Sequence, residues 1–293
     1  MKKLFSLFLL MFAGATLAFA QDDCASNECD RQPVTSKWQL MVGGAAYTNH
    51  YHNLQEYKGA IRGIQATHGR LFKRSDRLSW QLTLMYYGSQ YTPGEPTSGL
   101  VNPAGTSHIS SKFLEADYAV YYNWLLFNRL QVRLGGWFGV NAGLLTGDNH
   151  AINNGVSMQM QTQLYASLQL RYGWDFKKWG LDLYANAATP FMGIRTADGR
   201  YNGFAESILS DKFKQTPYSH VVFSSFHNTQ GVNWEAGIDF VLNRISLSLS
   251  YGANNFWWSD YELQNYRKNN ILKVGLSVNL VGMKRGKSGN RQF

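Results

Sequence analysis

Charge is scarce in this 293-residue chain: Asp, Glu, Lys and Arg make up 16% of it, against roughly 25% in an average soluble domain. Cysteine is scarcer still, with Cys24 and Cys29 alone, which excludes a scaffold held by several disulfides. Six prolines beside 28 glycines leave no collagen repeat and no proline-rich linker. After the apolar run at 4–13, no stretch approaches the roughly 18 apolar residues of a membrane-crossing helix, so a bundle of transmembrane helices is excluded as well. What the chain does have is 15% aromatic and 44% apolar residues, yet its mean hydropathy is negative at −0.31. A membrane-spanning β-barrel reconciles these numbers, because an apolar, aromatic lipid face and a polar lumen average out.

Lys2 and Lys3, the apolar run at 4–13 and the small-x-small site Ala18-Phe19-Ala20 read as a secretory signal peptide over 1–20. A periplasmic N-terminal tail is expected over 21–36, where export permits a local bridge between Cys24 and Cys29. The formal charge of +9 falls to +7 when the two signal lysines leave, with 26 Lys and Arg against 19 Asp and Glu. Export also takes the chain away from nucleic acid, so no nucleic-acid partner is expected.

Alternation at period 2 is the strongest pattern. Over 156–175 one parity reads Val156, Met158, Met160, Thr162, Leu164, Ala166, Leu168, Leu170, Tyr172 and Trp174, while the other is mostly polar, from Ser157 and Gln159 to Arg171 and Asp175. Strands of soluble sheets run about 5 to 6 residues. An alternation this long is enough to cross a bilayer at a tilt and project beyond it. The same pattern predicts strands over 37–48, 57–72, 78–91, 110–123, 130–144, 179–194, 232–241, 245–257 and 268–283, ten in all. A strand-like run at 218–226 is either an extra strand, raising the count to twelve, or a segment folded into the mouth.

Connections after the second, fourth, sixth and eighth strands are short, and the others are longer. The longest, 195–231, is expected to close part of the outer mouth. All this predicts an all-β, antiparallel outer-membrane barrel with short periplasmic turns and long outer loops, a barrel domain over 37–283 and a basic periplasmic tail over 284–293. Tyr86, Tyr122, Trp124, Tyr172, Trp174, Trp179, Trp257 and Trp258 gather at strand ends, where amphipathic rings form girdles at headgroup level. The final strand, with Lys273, Gly275, Val278 and Leu280, resembles the signal read by the barrel-assembly machinery.

The segments Tyr57-Lys58-Gly59, Leu134-Gly135-Gly136, Pro190-Phe191-Met192-Gly193 and Val222-Phe223-Ser224-Ser225-Phe226-His227-Asn228 resemble a family of exported Bacteroidetes proteins known only as a domain of unknown function, number 3316. The resemblance spans most of the mature chain. It implies a Gram-negative outer membrane and no activity.

The inward parity carries Glu115, Asp117, Arg133, Arg171, Asp175, Asp182, Glu235, Asp239 and Lys273. Mixed signs in a lumen only somewhat wider than the eight-stranded kind pair across it, since an unpaired buried charge is costly. A filled, structural lumen is therefore the leading expectation, with binding of a small solute or surface ligand, or narrow transport, beside it. Six of seven histidines fall in loops or at the rim, with His68 alone inside a strand. No HExxH, Cys/His ligand spacing or phosphate loop occurs, so no metal or cofactor is expected. The alternative is a membrane-embedded lipid or lipid A acyl hydrolase: Ser225 and His227 share one face of an extended segment, with Asn228 placed to orient the ring. Expected partners are outer-membrane lipids and lipopolysaccharide.

Overall fold

A computed structural model describes residues 34–49, 53–72, 77–93, 108–126, 129–147, 156–176, 179–196, 221–242, 245–260 and 263–279. These form eleven strands: β1 (Val34–Asn49), β2 (Asn53–Leu71), β3 (Leu78–Pro93), β4 (Ile109–Leu126), β5 (Leu130–Gly147), β6 (Val156–Asp175), β7 (Gly180–Thr196), β8 (Val221–Ser225), β9 (Thr229–Leu242), β10 (Ile245–Asp260) and β11 (Leu263–Asn279). Neighbours pair antiparallel in chain order from β1 to β7, then through β9, β10 and β11. Strand β11 returns to β1 from Thr35↔Asn279 to Thr48↔Tyr266. Ten staves thus close a barrel, each with a neighbour on both sides.

The short strand β8 is not a further stave. It lies end to end with β9 along β7, which pairs β8 over 192–196 and β9 over 180–188. Between Met192↔Ser225 and Ala188↔Asn233, three residues of β7 face seven of its partner, and the surplus is thrown outward as a wide bulge. Of the two expectations for 218–226, a strand forms, but the stave count stays at ten.

The ladder extends further than the alternation does. It starts at Val34, and β1 and β2 pair up to Asn49↔Asn53, as β10 and β11 do up to Asp260↔Leu263. Two of the connections expected as longer loops, 49–56 and 258–267, are thus tight hairpins. The buried inward positions here include the polar Thr48, Asn265 and Arg267, so no apolar period marks the pairing, yet backbone hydrogen bonds continue regardless. The tails at 1–33 and 280–293 and the connections at 94–107, 148–155 and 197–220, and with them both cysteines and residues 197–220 of the expected mouth-closing segment 195–231, lie outside the described residues; its described part at 221–225 runs in the wall along β7.

Burial inverts relative to a soluble protein. Leu40 is 66% exposed while its neighbours Gln39 and Met41 are 4% and 1% exposed. Leu134, Leu247, Leu272 and Val274 likewise stand on the outside. An exposed apolar patch of this extent has no place on a soluble monomer; wrapped around a closed barrel it is the lipid-facing belt of a membrane-spanning protein. Below, "terminal end" means the end where β1 begins and β11 ends, and "far end" the opposite one.

Candidate functional site

The inward faces fill the lumen in two layers. Toward the far end the lining is apolar, with Met41, Tyr47, Tyr57, Ile61, Tyr91, Ile109, Phe113 and Leu145 packed into one buried cluster. Close backbone approach makes room for rings in both layers. Phe113 on β4 faces Gly143 on β5, where a Cβ would stand 2.3 Å from its ring, and Tyr184 on β7 lies over Gly237 of β9 in the same way, 2.6 Å from where a Cβ would be. The cluster also reaches across the lumen. Gln159 Nε2 on β6 donates to the Tyr47 hydroxyl on β1 at 2.9 Å, five staves away in either direction around the barrel. Polar inward residues were the expectation throughout; the far layer is instead a small aromatic core.

The second layer is ionic. Asp239 is its hub: one carboxylate oxygen meets Lys37 Nζ at 3.2 Å and the other Arg171 Nη2 at 2.7 Å. Arg171 also reaches Asp182 at 3.3 Å. Lys273 pairs with Glu235 at 2.5 Å and donates to Gln65 on β2 at 2.9 Å. Tyr184 links these groups, its hydroxyl accepting from Lys37 at 3.0 Å and donating to Glu235 at 3.1 Å. Glu115 accepts from Tyr87 at 2.7 Å and from Asn141, and Arg267 lies 3.7 Å from it across the barrel. Arg133 bonds neutral partners, Asn123, Gln169 and Ser79 at 2.8–2.9 Å, with its guanidinium over the Tyr121 ring. Charges held this closely offset much of the cost of leaving water. A cavity of about 150 Å³ remains between the layers, bordered by Glu115, Asp117, Glu235, Lys273, Trp137 and Tyr165.

Of the nine expected lumen charges, Glu115, Arg133, Arg171, Asp182, Glu235, Asp239 and Lys273 are brought together in these bonds. Asp117 borders the cavity, its Oδ1 beside Gly139, and forms no ion pair among the described residues. Asp175 is a correction: it stands exposed at the terminal end of β6, past the last layer. Lys37 and Arg267 were missed. Lys37 is in phase with Gln39 and Met41, a legible signal; Arg267 sat in a segment read as loop.

The aromatic girdle divides by end. Tyr122 with Trp124, and Tyr172 with Trp174, form outward ring pairs with centroids 4.5 Å apart near the terminal end, where Trp179 stacks on Phe176 at 4.0 Å. Tyr86 and Trp257 face outward on the far half. Trp258 is a correction: its parity is inward, and it packs against the apolar cluster.

Ser225 and His227 do converge, with Ser225 Oγ hydrogen-bonded to His227 Nδ1. They do so on the outward face, between Phe223 and Phe226, which are 56% and 59% exposed. Asn228 does not orient the imidazole. Its Oδ1 accepts from the Ser225 backbone N–H at 2.9 Å and its Nδ2 donates to the Phe223 carbonyl at 2.7 Å, so its side chain builds the turn. His68 lies buried on β2 with Nδ1 2.9 Å from the Ser36 hydroxyl of β1 and its ring against Trp80.

An antiparallel barrel with a lipid-facing belt and a packed lumen defines a ten-stranded transmembrane β-barrel. Within that class the chain belongs to the family described as "Protein of unknown function (DUF3316)", whose model matches residues 3–287. No curated protein matches it. Among solved structures it is similar to the transport unit of the autotransporter AIDA-I from Escherichia coli, at 12% identity over 91% of this chain and 96% of that one, with a TM-score of 0.47. It is similar also to the outer membrane protease OmpT from Escherichia coli, at 6% identity over 88% and 99% with a TM-score of 0.43. A third is Neisserial surface protein A, at 11% identity over 84% and 97% with a TM-score of 0.34.

Proposed function

We infer that the protein is a non-enzymatic integral barrel of the outer membrane, its terminal end in the periplasm and its lumen shut, serving as a structural or binding element and not as a pore. The observation that carries this is the bond from Gln159 to Tyr47 across the full width of the far mouth, backed by the ionic layer beneath it. The side chains involved come from staves, so closure does not depend on the long connection after β7. An open channel needs a continuous water-filled path. The full chain in planar bilayers should therefore show no steady single-channel conductance, and shortening the connection within 198–219 should leave it silent. Steady current through the intact protein would overturn the reading.

Acyl-ester hydrolysis by Ser225 with His227 as base is the second reading. Its support is that the hydrogen-bonded pair sits outward between two exposed phenylalanines, where a lipid ester has access. Against it stands Asn228, whose side chain is committed to the backbone, leaving the ring without the third group that orients a catalytic base. Ser225→Ala should leave the hydrolysis of short-chain and phospholipid esters by the purified barrel at background, as in the parent chain. Turnover in the parent that disappears in the variant would establish the enzyme instead.

A further inference from the structure

Among the described residues, the outward-facing cations of the far half are confined to one wall. They are Lys58 and Arg62 on β2, Lys112 on β4 and Lys268 on β11, all exposed. On the described outward faces of β5 to β10 there is no Lys or Arg at all. The apolar belt on the same wall ends at Val42, Ile64, Tyr86, Leu114 and Leu272; Arg62 and Lys112 stand in register with Val42 and Leu272 at its edge, and Lys58 and Lys268 stand beyond it. That is the depth at which headgroups meet a barrel.

Register arranges the four as two brackets. Arg62 pairs with Gly88 of β3, and Gly88 with Lys112. Lys268 pairs with Ala46 of β1, and Ala46 with Lys58. In each, two cations stand two strand spacings apart, roughly 10 Å, over a residue that leaves the gap largely open, Gly88 with no side chain and Ala46 with only a methyl. The Lys112 stem leans into it, its Cγ 3.8 Å from where a Gly88 Cβ would be. Arg62 makes no ion pair among the described residues, and Lys268 is propped by the rings of Tyr266 and Trp257 at 4.9 and 5.9 Å. Glu56 holds Lys58 at 3.2 Å in an exposed pair, a kind worth little. The two brackets lie four residues apart along β2, about 13 Å.

We propose that this wall binds a glycolipid of the outer leaflet whose sugar headgroup carries a phosphate at each end, one phosphate in each bracket, with its acyl chains laid along Val42, Ile64, Tyr86 and Leu114. Arg and Lys suit phosphate oxygens through charge-assisted hydrogen bonds, and a neighbouring apolar strip suits the chains. The proposal rests on the far end facing outward, but not on a shut lumen, so conductance and lipid binding fail separately.

The test uses the full chain, purified in detergent and freed of lipid, with bound lipid read by native mass spectrometry. The probes are diphosphorylated lipid A, the same lipid with both phosphates removed, and phosphatidylglycerol. Diphosphorylated lipid A should bind at least tenfold more tightly than either comparison lipid. Arg62→Gln with Lys112→Gln should lose at least tenfold, while Arg77→Gln, at the terminal end, should lose nothing. Unchanged heat-modifiable migration in gels shows that the variants fold, and the comparison of the three lipids on the parent chain decides without any variant. Equal binding of the dephosphorylated lipid, equal binding of phosphatidylglycerol, or an unaffected double variant would each overturn the proposal.

Discussion

Replacing Asp239 by Ala is expected to lower the unfolding free energy of the barrel by about 3 kcal/mol, read as a fall in the urea midpoint in detergent at unchanged slope. Asp239 is 4% exposed and is the only carboxylate that Lys37 meets among the described residues. Its loss strands that ammonium inside the barrel, with the Tyr184 hydroxyl and ring as remaining partners. Breaking a buried pair costs about 3–5 kcal/mol. The lower end applies here because Arg171 keeps Asp182 at 3.3 Å and both cations retain some contact with solvent. Removing the stranded charge as well, in Asp239→Ala with Lys37→Met, should recover more than half of the loss, since a pair replaced by apolar groups is often neutral. A single variant with an unchanged midpoint would mean that water already screens the ionic layer. The lumen would then be wet and continuous, and the closed-barrel reading would fall with it.

The staves were legible because lipid on one side forces an apolar residue at every second position, as from Val156 to Trp174. Where that force ends, the pattern ends, though the ladder does not. Residues 53–56 and 263–267 pair above the belt, where the outward positions are no longer held apolar and the buried inward ones, Asn265 and Arg267, are polar, so Arg267 passed for a loop residue and its approach to Glu115 could not be read. The aromatic layer hid for the opposite reason. Met41 sits beside Leu40 and Val42, Phe113 beside Leu114, and Leu145 beside Leu144; with apolar side chains on both faces the alternation disappears. Partners across the lumen are a third case. Which stave faces which depends on strand number and closure, so the contact of Tyr47 with Gln159 has no trace in local spacing. The Ser225, His227 and Asn228 group was legible as a constellation, but the job of Asn228 was not, because it follows from a bulge created by the unequal lengths of β7 and its partner.

Gly143→Ala should destabilise the barrel by about 2–3 kcal/mol, the upper end of the range for an overpacked core, although backbone entropy alone argues for a gain of about 0.4–1 kcal/mol. The larger effect wins because the new methyl would stand 2.3 and 2.5 Å from two ring carbons of Phe113. That ring has nowhere to go: Phe113 is 1% exposed, stacks on Tyr87 with centroids 5.2 Å apart, and carries the Arg267 guanidinium 4.8 Å above it. Gly44 supplies the contrast, since a Cβ there meets nothing within 4 Å, and Gly44→Ala should be neutral or slightly stabilising. Adding Phe113→Ala to Gly143→Ala should cost less than the two single losses together, by about 1–2 kcal/mol of coupling, because each change relieves the other. The three midpoints in urea measure this directly. Additive losses would show that the ring does not press on Gly143, and that the aromatic layer at the far mouth is looser than the packing of Phe113, Tyr87 and Tyr47 requires for a shut lumen.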